Sequence, residues 1–209
     1  MLAQLDKVSK RYGRQWALNQ LSLDITAGET LLLTGHNGAG KTTLLRLLAT
    51  VMRPTHGTIQ IFGHDSKTDY AQIRPAIGLL SHQNHLYNQL NAFENLELVA
   101  KLSGKSTENI PGFLEEVGLP VKGQKVVAQY SAGMKRRLAI ARMLVRQPKL
   151  ILLDEPFGQL DPGGVEMMEH FIQRWQEDTT LLIATHDIDR GKKLCSRHLH
   201  LEKGQSVCP

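Results

Sequence analysis

The sequence predicts an α/β domain built on a mainly parallel sheet, with a helical segment inserted part-way along. Three observations carry this. Short apolar runs of strand length, at Leu31–Leu33, Leu150–Leu153 and Thr179–Thr185, alternate with helical patterns. A glycine loop of the form G-x-x-x-x-G-K-T, Gly35–Thr42, joins one of these runs to a helix. Residues 84–149 hold mostly helical patterns between two strand-bearing stretches. With 209 residues, 41% of them hydrophobic, one domain spanning 1–209 is expected, its core about 1–83 and 150–209 and its helical part about 84–149.

The elements follow in order. Leu2–Val8 reads as a first strand, then a polar turn over Ser9–Arg14 that contains Tyr12. Leu21, Leu23 and Ile25 alternate with polar residues, as in a half-buried strand. Thr30–Thr34 is a buried strand, and Thr43–Ala49 a helix with a broad apolar face. Pro54, His56 and Gly57 stop that helix, and Thr58–Phe62 is a strand closed by Gly63-His64-Asp65. Ala76–Ser81 is a further strand.

In the helical stretch, Asn91 and Glu94 have the spacing of a capping box, and Leu96, Val99, Ala100 and Leu102 form an apolar face. Gly104 and Gly118 are helix stops. Met134, Leu138, Ala141 and Val145 share one face of a helix after Ser131, ended by Pro148. A helix over Val165–Gln176, a short helix and a strand Arg197–Leu201 complete the chain.

Composition excludes little but bounds the rest. The 25 basic and 20 acidic residues give +5, a mild excess compatible with anionic ligands. Aromatics are 5% of residues, so the basic run Lys135, Arg136, Arg137, Arg142 and Arg146 reads as a solvated helix face rather than a nucleic-acid surface. Cys195 and Cys208 match no metal spacing and suit a reducing compartment. No apolar run nears the roughly twenty residues of a spanning helix, and no signal peptide is evident. Any membrane work is therefore expected to go through a partner.

The glycine loop is where the chemistry starts. Its backbone can turn several N–H groups toward one anion, and the helix start adds unpaired N–H groups and a positive dipole end. Gly35, His36, Asn37, Gly38, Ala39, Gly40, Lys41, Thr42 and Thr43 are thus the candidate phosphate site. Lys41 reaches the outer phosphates and the Thr42 hydroxyl suits Mg²⁺. Asp154 and Glu155 end a buried strand, which in a parallel sheet brings them to the same edge. Asp154 suits Mg²⁺, through water, and Glu155 suits polarisation of the attacking water.

The order of motifs resembles the ATP-binding subunit of ABC transporters over nearly the whole chain. Tyr130-Ser131-Ala132-Gly133-Met134 resembles that family's signature motif, with Ala132 in place of a glycine and Met134 in place of a glutamine. Gln83 falls at the Q-loop glutamine, also a Mg²⁺ ligand, His186 at the switch histidine, and Asp161 at the D-loop aspartate. Tyr12 falls at the aromatic that stacks on adenine. The resemblance implies N-terminal antiparallel strands, ATP and Mg²⁺ as ligands, and catalysis by Glu155, His186, Lys41 and Gln83. It implies a head-to-tail dimer in which Ser131, Ala132, Gly133 and Met134 act on the partner's ATP. It also implies integral membrane subunits docking near Asn84–Asn95, where Leu86, Tyr87, Leu90 and Phe93 supply apolar surface, and a place on the inner face of the cell membrane.

Within the family, the compact length, with no appended regulatory domain expected, and Asp154-Glu155-Pro156-Phe157 most resemble the haem-exporter subunit of cytochrome c maturation. A small-drug or lipid exporter, or an ATP-switched protein without a membrane partner, are the alternatives. The other histidines, including His82, His85, His198 and His200, read as surface or core fillers.

Overall fold

The computed structural model describes residues 1–207; Cys208 lies outside the described residues. Strands β1 (Ala3–Tyr12) and β2 (Gln15–Ile25) form an antiparallel hairpin, with Ala3 opposite Ile25 and Tyr12 opposite Gln15. The expected Ser9–Arg14 turn is therefore shorter. Residues through Tyr12 keep ladder partners across register shifts, and Gly13, at φ 56°, makes the reversal with Arg14. Next come β3 (Thr30–Thr34), α1 (Lys41–Leu48), β4 (His56–Ile61), β5 (His64–Asp65), α2 (Tyr70–Ile73) and β6 (Ile77–Leu80).

The helical stretch follows as α3 (Ala92–Leu102), α4 (Ile110–Glu116) and α5 (Ala132–Arg146). The chain then runs through β7 (Leu150–Asp154), α6 (Pro162–Asp178), β8 (Thr180–Ala184), α7 (Ile188–Leu194), β9 (Arg197–Glu202) and β10 (Gln205–Val207). Two short strands, β5 and β10, have no apolar alternation to announce them.

Helix starts are set locally. Asn91 accepts from the Glu94 N–H at 2.9 Å while Glu94 accepts from the Asn91 N–H at 2.8 Å, a complete capping box on α3. Ser131 caps α5 through the Met134 N–H, and Asp161 caps α6 through the Gly164 N–H. Pro162 then fills the first helical position, where a missing N–H costs nothing. Leu102 does not belong to the buried face of α3. It is 75% exposed, in the last turn, while the buried stripe of α3 runs through Ala92, Asn95, Leu96, Val99 and Ala100.

Two sheets stack. A four-stranded antiparallel sheet runs β2-β1-β4-β5, and a six-stranded sheet runs β10-β9-β3-β8-β7-β6. In the larger sheet β9, β3, β8, β7 and β6 are parallel, with β10 antiparallel at the edge. Alternation along its strands makes two cores. Leu31, Leu33, Leu150, Leu152 and Leu182 pack with α1 and the antiparallel sheet. Ile151, Leu153, Leu181 and Ile183 pack on the opposite face with residues of α3 to α6.

Register fixes the working edge. Leu33 lies opposite Ala184, Ala184 opposite Asp154, and Leu153 opposite Leu80. The carboxyl ends of β3, β8, β7 and β6 are therefore level, and whatever follows each strand meets the others.

Candidate active site

A cavity of about 280 Å³ opens at that edge. Asn37 through Thr43 line it from the loop after β3, His82 from the loop after β6, Asp154 and Glu155 from β7, His186 from the loop after β8, and Ala17 from β2. Ligands in open parallel sheets sit at such carboxyl ends.

The loop's geometry requires glycine at two points. Gly35 has φ 144°, and a Cβ there would lie 2.3 Å from the Leu201 carbonyl oxygen. Gly40 has φ 110°, and a Cβ would lie 2.4 Å from the Ala17 oxygen. Gly40 is also the N-cap of α1 and supplies no side-chain acceptor, so the first N–H groups of the helix stay free for an anion.

Lys41 is buried. Its Nζ donates to the carbonyls of Gly35 at 2.6 Å and His36 at 3.2 Å. Burial pushes its ammonium below the ordinary lysine value, while the charges of Glu155 and Asp154 push it back up.

The Thr42 hydroxyl donates to Asp154 Oδ2 at 2.9 Å. Asp154 reaches it because the period of two puts its side chain on the α1 face of the sheet, the same face as Leu152 and Leu150. Two hard oxygen donors side by side, with open cavity beyond, fit Mg²⁺. That ion takes one or two protein oxygens and fills its shell with water and phosphate oxygens.

Glu155 stands at φ 50°, a left-handed conformation that costs an ordinary residue roughly 1–2 kcal/mol. Its N–H donates to the Ala184 carbonyl at 2.8 Å. One carboxylate oxygen, Oε2, accepts from the His186 N–H at 3.4 Å, and Oε1 lies 3.3 Å from His186 Nε2. That second approach is poorly aligned, and Oε1 is a buried atom with no well-directed donor among the described residues.

Two expected residues lie elsewhere. Gln83 lines a separate crevice with Leu79, Asn84 and Arg142, and its neighbour His82 faces the cavity instead. The cause is the tight turn after β6, where the Ser81 hydroxyl donates to the Gln83 carbonyl at 3.0 Å. Tyr12 is at the hairpin tip, with its hydroxyl 3.2 Å from Met52 Sδ and Lys10 over its ring, and it does not line the cavity. Within the loop, Gly35 and His36 also stand outside the lining. The His36 ring is exposed and lies 2.7 Å from the Asn37 carbonyl through Nδ1.

The signature residues line no part of this cavity. Ser131, Ala132, Gly133 and Met134 open α5, with Ser131 and Ala132 exposed and Met134 packed against the helical core. Asp161 pairs with Arg137 at 3.0 Å. The Arg137 hydrogen bond, then the Gly164 N–H, hold the Asp161 carboxyl below the ordinary carboxylate value.

The basic run on α5 is not a solvated face. Arg136 is 2% exposed and donates to the carbonyls of Ser81 at 2.6 Å and Glu155 at 2.8 Å, with Asp154 at 3.5 Å. Desolvation brings its guanidinium down to about 10, so it remains charged at neutral pH. Arg142 donates to the Asn84 and His85 carbonyls, and Arg146 to that of Arg74. Buried carbonyls at strand ends need donors, and a long cation on the neighbouring helix supplies them. The spacing of Arg136 to Ala139, Ile140 and Met143, three, four and seven residues on along one face of α5, was the signal in the sequence. His198 and His200 are likewise engaged, with ring nitrogens 2.6 Å and 3.0 Å from the Thr34 hydroxyl.

A family model described as ABC transporter matches residues 18–158, which take in the glycine loop, the signature stretch and Asp154-Glu155. The chain belongs to the ABC transporter family. It is an ABC-type ATPase cassette, the class whose parts the cavity assembles. It is 35% identical over 184 residues to the bacitracin transport ATP-binding protein BcrA of Enterococcus faecalis, covering 87% of this chain and 60% of that one. It is 36% identical over 208 residues to the daunorubicin resistance ATP-binding protein DrrA3 of Streptomyces coeruleorubidus, covering 97% of this chain and 66% of that one. The chain thus spans about three-fifths to two-thirds of the length of these relatives. Among solved structures it resembles the dimeric post-hydrolysis state of the ATP-binding cassette MJ0796 bound to ADP and Pi. The TM-score is 0.90 at 26% identity, covering 99% of this chain and 97% of that one.

Proposed function

We propose that the chain is the ATP-hydrolysing subunit of an ABC exporter. The observation that carries this is the junction of Lys41, Thr42, Asp154, Glu155 and His186 around one cavity. The free N–H groups of α1 and the Lys41 ammonium bind the phosphates. Thr42, and Asp154 through water, would hold Mg²⁺, which would offset the negative charge of the phosphates. The Glu155 carboxylate accepts a proton from the attacking water, and His186 keeps that carboxylate aimed.

Two copies close head to tail, so that Ser131 and Gly133 of one meet the ATP of the other. The dimeric state of the MJ0796 cassette and the exposed start of α5 support this. Tyr12 stacks on adenine and Gln83 senses the metal in this reading only if the hairpin tip and the loop after β6 shift on binding. His82 is the residue already at the cavity.

Membrane subunits dock on the segment Asn84–Asn95. Its Tyr87 is exposed, while Leu86 and Phe93 are held against the helical core. Buried Asn95 organises it by donating to the carbonyls of Tyr87 and Asn91. No helix among the described residues is long and apolar enough to cross a membrane, which fits a role at the inner membrane face through partners. The bacitracin-transport and daunorubicin-resistance relatives BcrA and DrrA3 favour a drug-sized or peptide antibiotic as cargo. They lend no support to haem export for cytochrome c maturation, which rested on the resemblance alone.

The test is Glu155→Gln. It is expected to keep ATP binding, lose turnover by about 10²–10⁴ and run as an ATP-dependent dimer on size exclusion. Hydrolysis near the wild-type rate would remove Glu155 from the mechanism. Recovery of an integral membrane protein with the tagged chain from gently solubilised membranes supports the transporter reading; recovery of cytosolic partners alone favours a free ATP-switched protein.

A further inference from the structure

We infer that Arg136 is a positioning residue for hydrolysis. Its buried guanidinium holds the backbone of Glu155 in its left-handed conformation and ties it to the loop after β6 and to the helix that carries Ser131 and Gly133. This rests on the reading of Glu155 given above.

Three facts converge. Glu155 has φ 50°, which a glutamate adopts only where its surroundings over-determine it. Its N–H is taken by Ala184, and its carbonyl receives Arg136 at 2.8 Å and the Gly158 N–H at 3.2 Å. Arg136 is the one side chain among these partners. Its other amino group donates to Ser81 at 2.6 Å, and the next residue, His82, faces the cavity. One planar fork therefore bridges the ends of β6 and β7, a geometry that a lysine's single ammonium cannot reproduce.

Position along the helix supplies the connection. Arg136 lies five residues after Ser131, on α5, at whose start Ser131 and Ala132 are exposed. A rigid helix moves as one body, so a displacement at Ser131 reaches the Glu155 carbonyl through this bond. The aim of the general base then depends on how α5 is seated. A partner cassette pressing on the start of α5 would set that seating.

The test compares Arg136→Met, Arg136→Lys and Arg146→Met in steady-state ATP hydrolysis by the purified chain. Arg146 is on the same helix and its carbonyl partner among the described residues is Arg74, which does not line the cavity. Arg136→Met is expected to lower kcat about tenfold or more with KM for ATP within about twofold. Arg136→Lys is expected to recover part of the loss, and Arg146→Met to stay within about twofold in both parameters. Wild-type kcat in Arg136→Met, or a fall matched in KM, overturns the inference. If Arg136→Met does not fold, Arg136→Lys decides: a fall of about fivefold or more in kcat at constant KM supports it, and wild-type kcat overturns it. Glu155→Gln run alongside separates the two failures. Activity there sinks the general-base reading, whereas an inactive Glu155→Gln beside a fully active Arg136→Met sinks only the positioning role.

Discussion

Replacing Lys41 by methionine should separate binding from folding, because the structure gives the ammonium opposite roles in the two. Met fills the same slot beneath the loop and removes both donors. The ammonium now donates to the Gly35 and His36 carbonyls, and its pKa is lowered chiefly by burial. Loss of two charge-assisted bonds and relief of a desolvated charge offset each other, so stability should change by no more than about 1 kcal/mol. ATP has no such offset. A hydrogen bond from a charged donor is worth roughly 1.5–3 kcal/mol, or about 12- to 150-fold in Kd. Titration with a fluorescent ATP analogue measures the affinity and urea unfolding the stability. The pH dependence has a defined sign. Between the lowered folded value and the unfolded 10.5, the unfolded chain binds more protons, so wild-type stability should rise relative to Lys41→Met as pH climbs through that window. Affinity within about threefold of wild type would refute the phosphate role; a stability loss of several kcal/mol would make Lys41 a strut of the loop instead.

Three further outcomes follow from the geometry. Thr42→Val and Asp154→Asn should each abolish most of the difference in ATP affinity measured with Mg²⁺ and with EDTA, since each removes one of the paired oxygens; an unchanged difference would put the metal elsewhere. Leu138→Ala, at a fully buried position, should cost about 2–5 kcal/mol in urea unfolding, whereas Leu102→Ala, 75% exposed, should stay within about 0.5 kcal/mol. Asp161→Asn should be less stable than wild type at neutral pH, with the difference shrinking as pH falls below 3.8, because a carboxyl held low adds stability above 3.8 that is lost as pH falls through its folded value. A difference that persists in acid would assign the effect to the helix cap rather than to charge.

Much of the fold was legible because its signals are local. Alternation, glycine stops and the Asn91–Glu94 box each depend on a few neighbours, and each element they mark exists within a few residues of its expected span. The edge that carries the cavity was legible for a different reason. In a parallel sheet the strands end level, so Asn37–Thr43, Asp154-Glu155 and His186 converge once the strands are known. What short patterns do not show is whatever depends on one turn's geometry. The turn after β6, with the Ser81 hydroxyl on the Gln83 carbonyl, presents His82 to the cavity and Gln83 to a neighbouring crevice, and Tyr12 sits at the hairpin tip outside the lining.

The arginines of α5 show the deeper reason. Charge on a helix is usually a sign of solvent, and by composition alone Arg136 and Arg142 belong outside. Parallel strands that end under a helix leave carbonyls pointing at it, and those carbonyls have no strand partner left. Burying a guanidinium there costs less than burying the carbonyls bare, because one fork serves several acceptors at once. Arg136 and Arg142 between them serve Ser81 and Glu155, next to the ends of β6 and β7, and Asn84 and His85 in the loop after β6. These cations are therefore a product of the topology. No window of sequence short enough to reveal a helix is long enough to reveal the strand ends, 18 to 58 residues away, that the arginines serve.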